Sequence, residues 1–140
     1  MPSPVPMSEY ATLPDTTRLL LEPRTYWRIS AFALAATALL GIVLNAIGQG
    51  ALLAPFLAFD WTHNVVHAAL AGAAFLFGFG RVPATAVRAF AVVFGIVYGA
   101  LGILGLFVAD LGILHLELGE NLVHIVLSAW ALAAGLTGKA

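Results

Sequence analysis

The residues of this chain that are best suited to chemistry stand in two short motifs with the same internal spacing. The first motif is "THNVVHAAL" at residues 62–70, and the second is "GENLVHIVL" at residues 119–127. Their polar residues are His63, Asn64, His67, Glu120, Asn121 and His124. In both motifs a histidine follows an asparagine by three positions, and residues at that spacing lie on one face of a helix. Each motif therefore predicts a polar patch on one helix.

Two kinds of cofactor are compatible with these residues. His63 and His67 are one helical turn apart, and Glu120 and His124 hold the corresponding positions in the second motif. Three imidazoles and a carboxylate on two helices form a set that can hold Zn²⁺ or another divalent metal. As a second possibility, His67 and His124 are candidates for the two axial ligands of haem b.

A stripe of small residues continues the face of each motif along its helix. In the first copy the stripe is Ala71, Ala74 and Gly78, and in the second it is Ser128, Ala131 and Gly135. Small residues allow helix backbones to approach closely in a membrane. The second and fourth helices are therefore expected to meet along these stripes, which leaves little room for a haem macrocycle.

The same symmetry gives a structural interpretation of the polar residues. Asn and His in membrane helices hydrogen-bond to neighbouring helices and hold them together. Asn64, His67, Asn121 and His124 are predicted to form a polar helix–helix cluster near the outer face. This interpretation is preferred to a metal or haem site, and on it the protein needs no cofactor.

The composition assigns the chain to the membrane proteins. Of the 140 residues, 61% are hydrophobic and 9% are charged, whereas soluble domains carry about 25% charged residues. Six Lys and Arg residues, scattered along the chain, form no basic face for nucleic acid. The sequence contains no Cys and none of the common phosphate-loop, H-E-x-x-H or G-x-S-x-G motifs. An enzyme is therefore not expected.

Hydropathy and turn residues predict an all-α integral membrane protein with four transmembrane helices. The predicted spans cover residues 26–47, 61–79, 84–108 and 119–136, within a domain from 26 to 140. Residues 1–25 are rich in proline and are expected to form a flexible or surface-lying cytoplasmic arm. Tyr26, Trp27 and Trp61 fall at predicted interfaces, where aromatic residues form a belt.

The charges predict the orientation of the spans. Every Lys and Arg lies in or just after the N-terminal arm, in or just after the turn between the second and third spans, or at the C-terminus. With four spans, all of these places are on one side of the membrane. By the positive-inside rule, both termini are expected to be cytoplasmic.

The chain also has the pattern of an internal repeat. "GIVLN" at 41–45 is similar to "GILGL" at 102–106, and "HNVVH" at 63–67 is similar to "ENLVH" at 120–124. Repeat one covers about 26–80 and repeat two about 84–137. An even number of spans in each repeat predicts a pseudo-two-fold axis along the membrane normal.

The doubled motif resembles that of a bacterial family of small four-helix membrane proteins known only as a domain of unknown function. In that family the first motif reads L-H-N-x-V-H and the second D-N-x-L-H, and the resemblance covers about residues 26–137. Thr62 and Glu120 depart from the pattern and keep its polar character. The resemblance implies the four-helix fold and its topology, and it implies no activity. The expected location is the bacterial inner (plasma) membrane.

The sequence thus predicts a non-enzymatic membrane protein of structural or accessory type. Its expected partners are the lipid bilayer and either another membrane protein or a second copy of the chain. The alternative is a membrane protein that binds a small ligand through an outer-facing metal or haem site. That site would be built from His63, His67, Glu120 and His124.

Overall fold

A computed structural model describes residues 14–112 and 115–138, together with Ser8 and Thr12. Within these residues the chain forms five α-helices: α1 (Asp15–Leu20), α2 (Pro23–Ala46), α3 (Trp61–Phe79), α4 (Ala84–Gly105) and α5 (Leu118–Thr137). The helices α2 to α5 are each long and apolar enough to cross a membrane. The predicted all-helical chain with four potential spans is therefore confirmed.

The ends of the helices follow local chemistry. Helix α2 begins at Pro23, three residues before the predicted start, because proline suits the first position of a helix, where its missing N–H is not needed. Helix α4 ends at Gly105, since the next residues form tighter turns that end its hydrogen-bond ladder. Residues 1–7, 9–11 and 13 of the predicted N-terminal arm, and Lys139, lie outside the described residues.

The helices pack mainly as two hairpins, α2 with α3 and α4 with α5. Arginines from the first helix of each hairpin donate hydrogen bonds to backbone carbonyl groups near the C-terminus of the second helix. Nε of Arg28 donates to the Gly78 carbonyl at 3.0 Å, and Nε of Arg88 donates to the Gly135 carbonyl at 3.1 Å. These bonds satisfy carbonyl groups that have no partner within their own helix.

An aromatic core joins the hairpins near their arginine-rich end. Tyr26 and Trp27 are fully buried, and the Trp27 ring stacks on Phe90 with centroids 4.8 Å apart. The interfacial-belt prediction is thus wrong for these two residues, because their large apolar rings fill the space where the hairpins meet. Trp61 is 57% exposed, as a belt residue would be. The core leaves the opposite end of the bundle to the polar motifs.

Candidate functional site

The start of α3 places its histidines. The Asp60 carboxylate caps the helix and accepts a hydrogen bond from the backbone N–H of His63 at 2.7 Å. His63 and His67 then follow one turn apart on the buried face of the helix. The cap is a purely local signal, so this part of the geometry follows directly from the sequence.

The start of α5 is fixed by a capping box. The Glu117 side chain accepts from the backbone at Glu120, and the Glu120 side chain accepts from the backbone N–H of Glu117 at 3.2 Å. The other oxygen of Glu120 accepts from the N–H of Ala58, in the connection between α2 and α3, at 3.3 Å. Glu120 therefore ties that connection to α5 and is itself 5% exposed.

Three histidines meet between the N-terminal ends of α3 and α5. His63, His67 and His124 each offer a ring nitrogen, and these nitrogens all lie within 4.8 Å of one another. The Nε2 atoms of His63 and His67 are 3.1 Å apart. All three side chains are buried. Of the residues proposed from sequence as metal ligands, the structure brings together these three.

The fourth proposed ligand lies behind the histidines. A carboxylate oxygen of Glu120 is 3.6 Å from Nδ1 of His63, on the side of the ring away from His67. This distance is too long for a hydrogen bond and short enough for a direct electrostatic contact. Nδ1 of His67 and Nδ1 of His124 are buried and have no hydrogen-bond partner among the described atoms. A buried polar atom left in this state costs about 1–3 kcal/mol.

The two asparagines are not part of this cluster. A methyl group added at Gly41 of α2 would overlap the Asn64 side chain, and one added at Gly105 of α4 would overlap Asn121. Nδ2 of Asn121 also donates to the Leu116 carbonyl at 3.4 Å. The prediction that Asn64 and Asn121 join His67 and His124 across the bundle is therefore wrong. Each asparagine instead fills the space beside a glycine of its own hairpin.

The small-residue stripes also pack within the hairpins. Gly78 lies against the backbone of Arg28 in α2 and Gly135 against Arg88 and Val92 in α4, while Ser128 donates to the Gly95 carbonyl of α4. Ala71, Ala74 and Ala131 are buried in the core. For Gly78, Ser128 and Gly135 the contact is thus with the neighbouring helix of the same hairpin and not, as predicted, between the second and fourth spans. Consecutive antiparallel helices make the closest approach and so need the small residues most.

A cavity of about 260 Å³ lies beside the histidines. His67, His124 and Glu120 form one polar side, Ser30 and Thr37 of α2 add two hydroxyl groups, and most of the remaining lining is apolar. Tyr98 of α4 also lines it and packs edge-on against His124, with ring centroids 4.8 Å apart. Sequence reasoning missed Tyr98, although it is the only side chain with a polar group between Arg88 and the end of α4.

His115 lies outside the cluster. It is exposed in the connection between α4 and α5, where its Nδ1 is 3.8 Å from an Asp110 carboxylate oxygen. Comparisons with known protein families, with curated proteins and with solved structures find no match to the chain. Its function is therefore argued from the geometry alone.

Proposed function

We propose that the protein is a multi-pass membrane protein that binds a divalent transition-metal ion, with Zn²⁺ as the best-suited ion, between the outer ends of α3 and α5. The ligands are His63, His67 and His124. The observation that carries the proposal is the orientation of His63, which turns one ring nitrogen toward another histidine and the other toward a buried carboxylate.

The distances support a common ion. Two nitrogens that each lie about 2.0–2.1 Å from one tetrahedral zinc ion are about 3.3 Å apart. The observed 3.1 Å between Nε2 of His63 and Nε2 of His67 is close to that value. The third nitrogen lies within 4.8 Å of both, so a small side-chain movement completes the set. Three histidines leave the fourth zinc position open.

Glu120 has the place of an outer-shell residue. Metal-bound histidines usually donate their second N–H to a carboxylate, which orients the ring and strengthens it as a ligand. Glu120 lies 3.6 Å from Nδ1 of His63, so a small side-chain movement would form this hydrogen bond. The carboxylate also offsets part of the charge of the ion, which matters because an uncompensated charge inside a membrane protein is costly.

Haem b is a less favoured occupant than zinc. An iron ligated by Nε2 of His67 would place its macrocycle across the space next to that atom. Nε2 of His63 lies there, 3.1 Å away. The same third imidazole that crowds a macrocycle adds a ligand for a single ion.

A structural or accessory role is the second candidate function, and it is compatible with metal binding. It is supported by Asn64 and Asn121, which are buried against Gly41 and Gly105 and so hold the helices of each hairpin in register. Such a protein would act through the bilayer and a membrane partner or a second copy. It would need no ion in the histidine cluster, so a protein without bound metal would leave this candidate alone.

We further propose that the hairpins are two tandem repeats related by a pseudo-two-fold axis, in a chain of the bacterial four-helix family described above. Two equivalent pairs of contacts support this: Arg28 with Gly78 and Arg88 with Gly135. The arginines at the hairpin ends favour cytoplasmic termini in the bacterial inner membrane.

The test is the metal content of the protein, purified in detergent without a histidine tag and incubated with Zn²⁺. We expect one tightly bound zinc ion per chain, with a nitrogen-rich shell in X-ray absorption. Each of His63→Ala, His67→Ala and His124→Ala should abolish the tight binding.

The matched control is His115→Ala, which removes an exposed histidine outside the cluster and should keep the zinc. Wild-type protein without stoichiometric metal would overturn the metal proposal and leave the structural one. Zinc retained by all three cluster variants would overturn the assigned ligands.

A further inference from the structure

The cavity beside the histidines is lined by more of the chain than the two helices that carry the proposed metal ligands. Its walls come from α2, the connection after α2, α4 and α5, and its polar side is formed by two of the proposed ligands, His67 and His124. A molecule in the cavity would therefore lie beside two of the three proposed ligands.

The cavity opens between α2 and α5. Ala33 of α2 and Val123 of α5 both line it and are both exposed on the outer surface of their helices. Both helices are apolar enough to span a membrane, so this exposed surface would face hydrocarbon. The natural way into the cavity is therefore sideways from the bilayer, and a molecule that takes it must be soluble in lipid.

The charges around the proposed metal site indicate which polar group the molecule carries. A divalent ion with three neutral imidazoles carries a charge of +2. Among the described residues that line the cavity, Glu120 is the one carboxylate, and it supplies at most one negative charge. The Asp60 side chain is partly exposed, so water screens its charge. At least part of the positive charge near the open position is left to be balanced by an anionic ligand.

The size of the cavity limits the hydrocarbon part of the molecule. Its volume of about 260 Å³ corresponds to about nine water molecules at about 30 Å³ each, which is too little for the two acyl chains of a phospholipid. Leu34, Leu57, Phe59 and Phe94 give it a mainly apolar lining that suits one hydrocarbon chain.

We propose that this cavity binds a single-chain carboxylic acid from the bilayer, with its carboxylate on the open position of the metal and its chain between α2 and α5. The proposal rests on the metal site proposed above and adds the class of ligand that reaches it.

The experiment uses Co²⁺ in place of Zn²⁺, because the visible spectrum of Co²⁺ reports the ligand in its fourth position. The cobalt-loaded protein in detergent is titrated with decanoic acid, methyl decanoate and acetate. We expect a saturable spectral change with decanoic acid, no change with the ester, and a much weaker response to acetate. The ester keeps the chain and lacks the charge, whereas acetate keeps the charge and lacks the chain.

A matched pair of variants tests the position of the chain. Ala33→Phe fills the cavity, whereas Ala36→Phe adds the same ring to an exposed position one turn along that does not line it. Ala33→Phe should raise the half-saturating concentration of decanoic acid about tenfold or more, and Ala36→Phe should leave it unchanged. Val123→Phe, from the opposite wall, serves as a second test should Ala33→Phe fail to fold.

The outcomes separate this inference from the metal proposal. Failure of the wild-type protein to bind cobalt would overturn the metal site and this inference with it. Cobalt binding with no response to decanoic acid, or with an equal response to acetate or the ester, would overturn the inference alone. An unchanged titration of folded cavity variants would do the same, because the chain would then lie elsewhere.

Discussion

Glu120 is the residue in which structural and chemical roles coincide. Its two carboxylate oxygens accept backbone hydrogen bonds from Ala58 and Glu117, and one of them also lies 3.6 Å from His63. The first two contacts need only an acceptor oxygen. The third needs the negative charge, since it is through charge that a carboxylate strengthens a metal-bound imidazole.

The variant Glu120→Gln separates these roles, because glutamine keeps an acceptor oxygen and removes the charge. We expect it to weaken zinc binding about 10- to 100-fold with little loss of thermal stability. Competition with a chelator of known affinity measures the first quantity, and thermal unfolding in detergent measures the second. Glu117→Gln makes the same change at the other member of the capping box, away from the histidines, and should leave zinc affinity unaltered. Equal effects of the two variants would contradict the outer-shell role.

At the scale of the helices, close packing within each hairpin depends on glycines that receive a polar side chain. Gly41 of α2 lies under Asn64 of α3, and Gly105 of α4 lies under Asn121 of α5. Since both asparagines are almost fully buried, neither can move out of the way without separating the helices.

Gly41→Ala should therefore destabilise the protein, because the added methyl group overlaps Asn64 and comes within 2.8 Å of the Phe59 ring. We expect a loss of about 1–3 kcal/mol in the free energy of unfolding, measured by reversible unfolding in mixed detergent. Gly72→Ala is the control, since the added methyl group has no neighbour within 4 Å apart from the adjacent backbone of its own helix. It should be neutral or slightly stabilising, because alanine favours a helix more than glycine does. A similar stability of both variants would show that α2 and α3 are packed more loosely than described.

At the scale of the whole molecule, the arginines are separated from the acidic residues that lie around the histidines. Arg24, Arg28 and Arg88 bind backbone carbonyls at one end, and Asp60, Glu117 and Glu120 lie at the other. A bilayer would preserve that separation, because moving either set of charges through the hydrocarbon is costly.

Because the chain has no native cysteine, single cysteines can report the orientation. Ala51→Cys places a thiol in the connection after α2, and Arg81→Cys places one in the turn after α3, both at exposed positions. In intact bacterial cells, a membrane-impermeant maleimide that reaches the periplasm should label the first and spare the second. After the cells are opened, both should be labelled. Labelling of Arg81→Cys in intact cells would contradict the proposed cytoplasmic termini.

Features that depend on a single segment of the chain, such as the location of a helix and the residues on one of its faces, could be predicted from the sequence. The length of each apolar run sets the four helices, because a hydrophobic run acts within a single segment. The common face of His63 and His67 follows from helical spacing alone. These predictions needed no knowledge of which helix lies beside which.

Only the tertiary structure decided what each face meets. The spacing of Gly78, Ser128 and Gly135 indicates helix faces that can pack closely against another helix. It does not indicate whether that helix is the neighbour in sequence or a distant one. Packing within the hairpins assigned these residues, with Asn64 and Asn121, to neighbours in sequence, and left the histidines to meet between α3 and α5. The cavity and the place of Tyr98 beside His124 arise where several elements converge. The periodicity of one helix identifies which residues share a face. It does not identify the element that packs against that face.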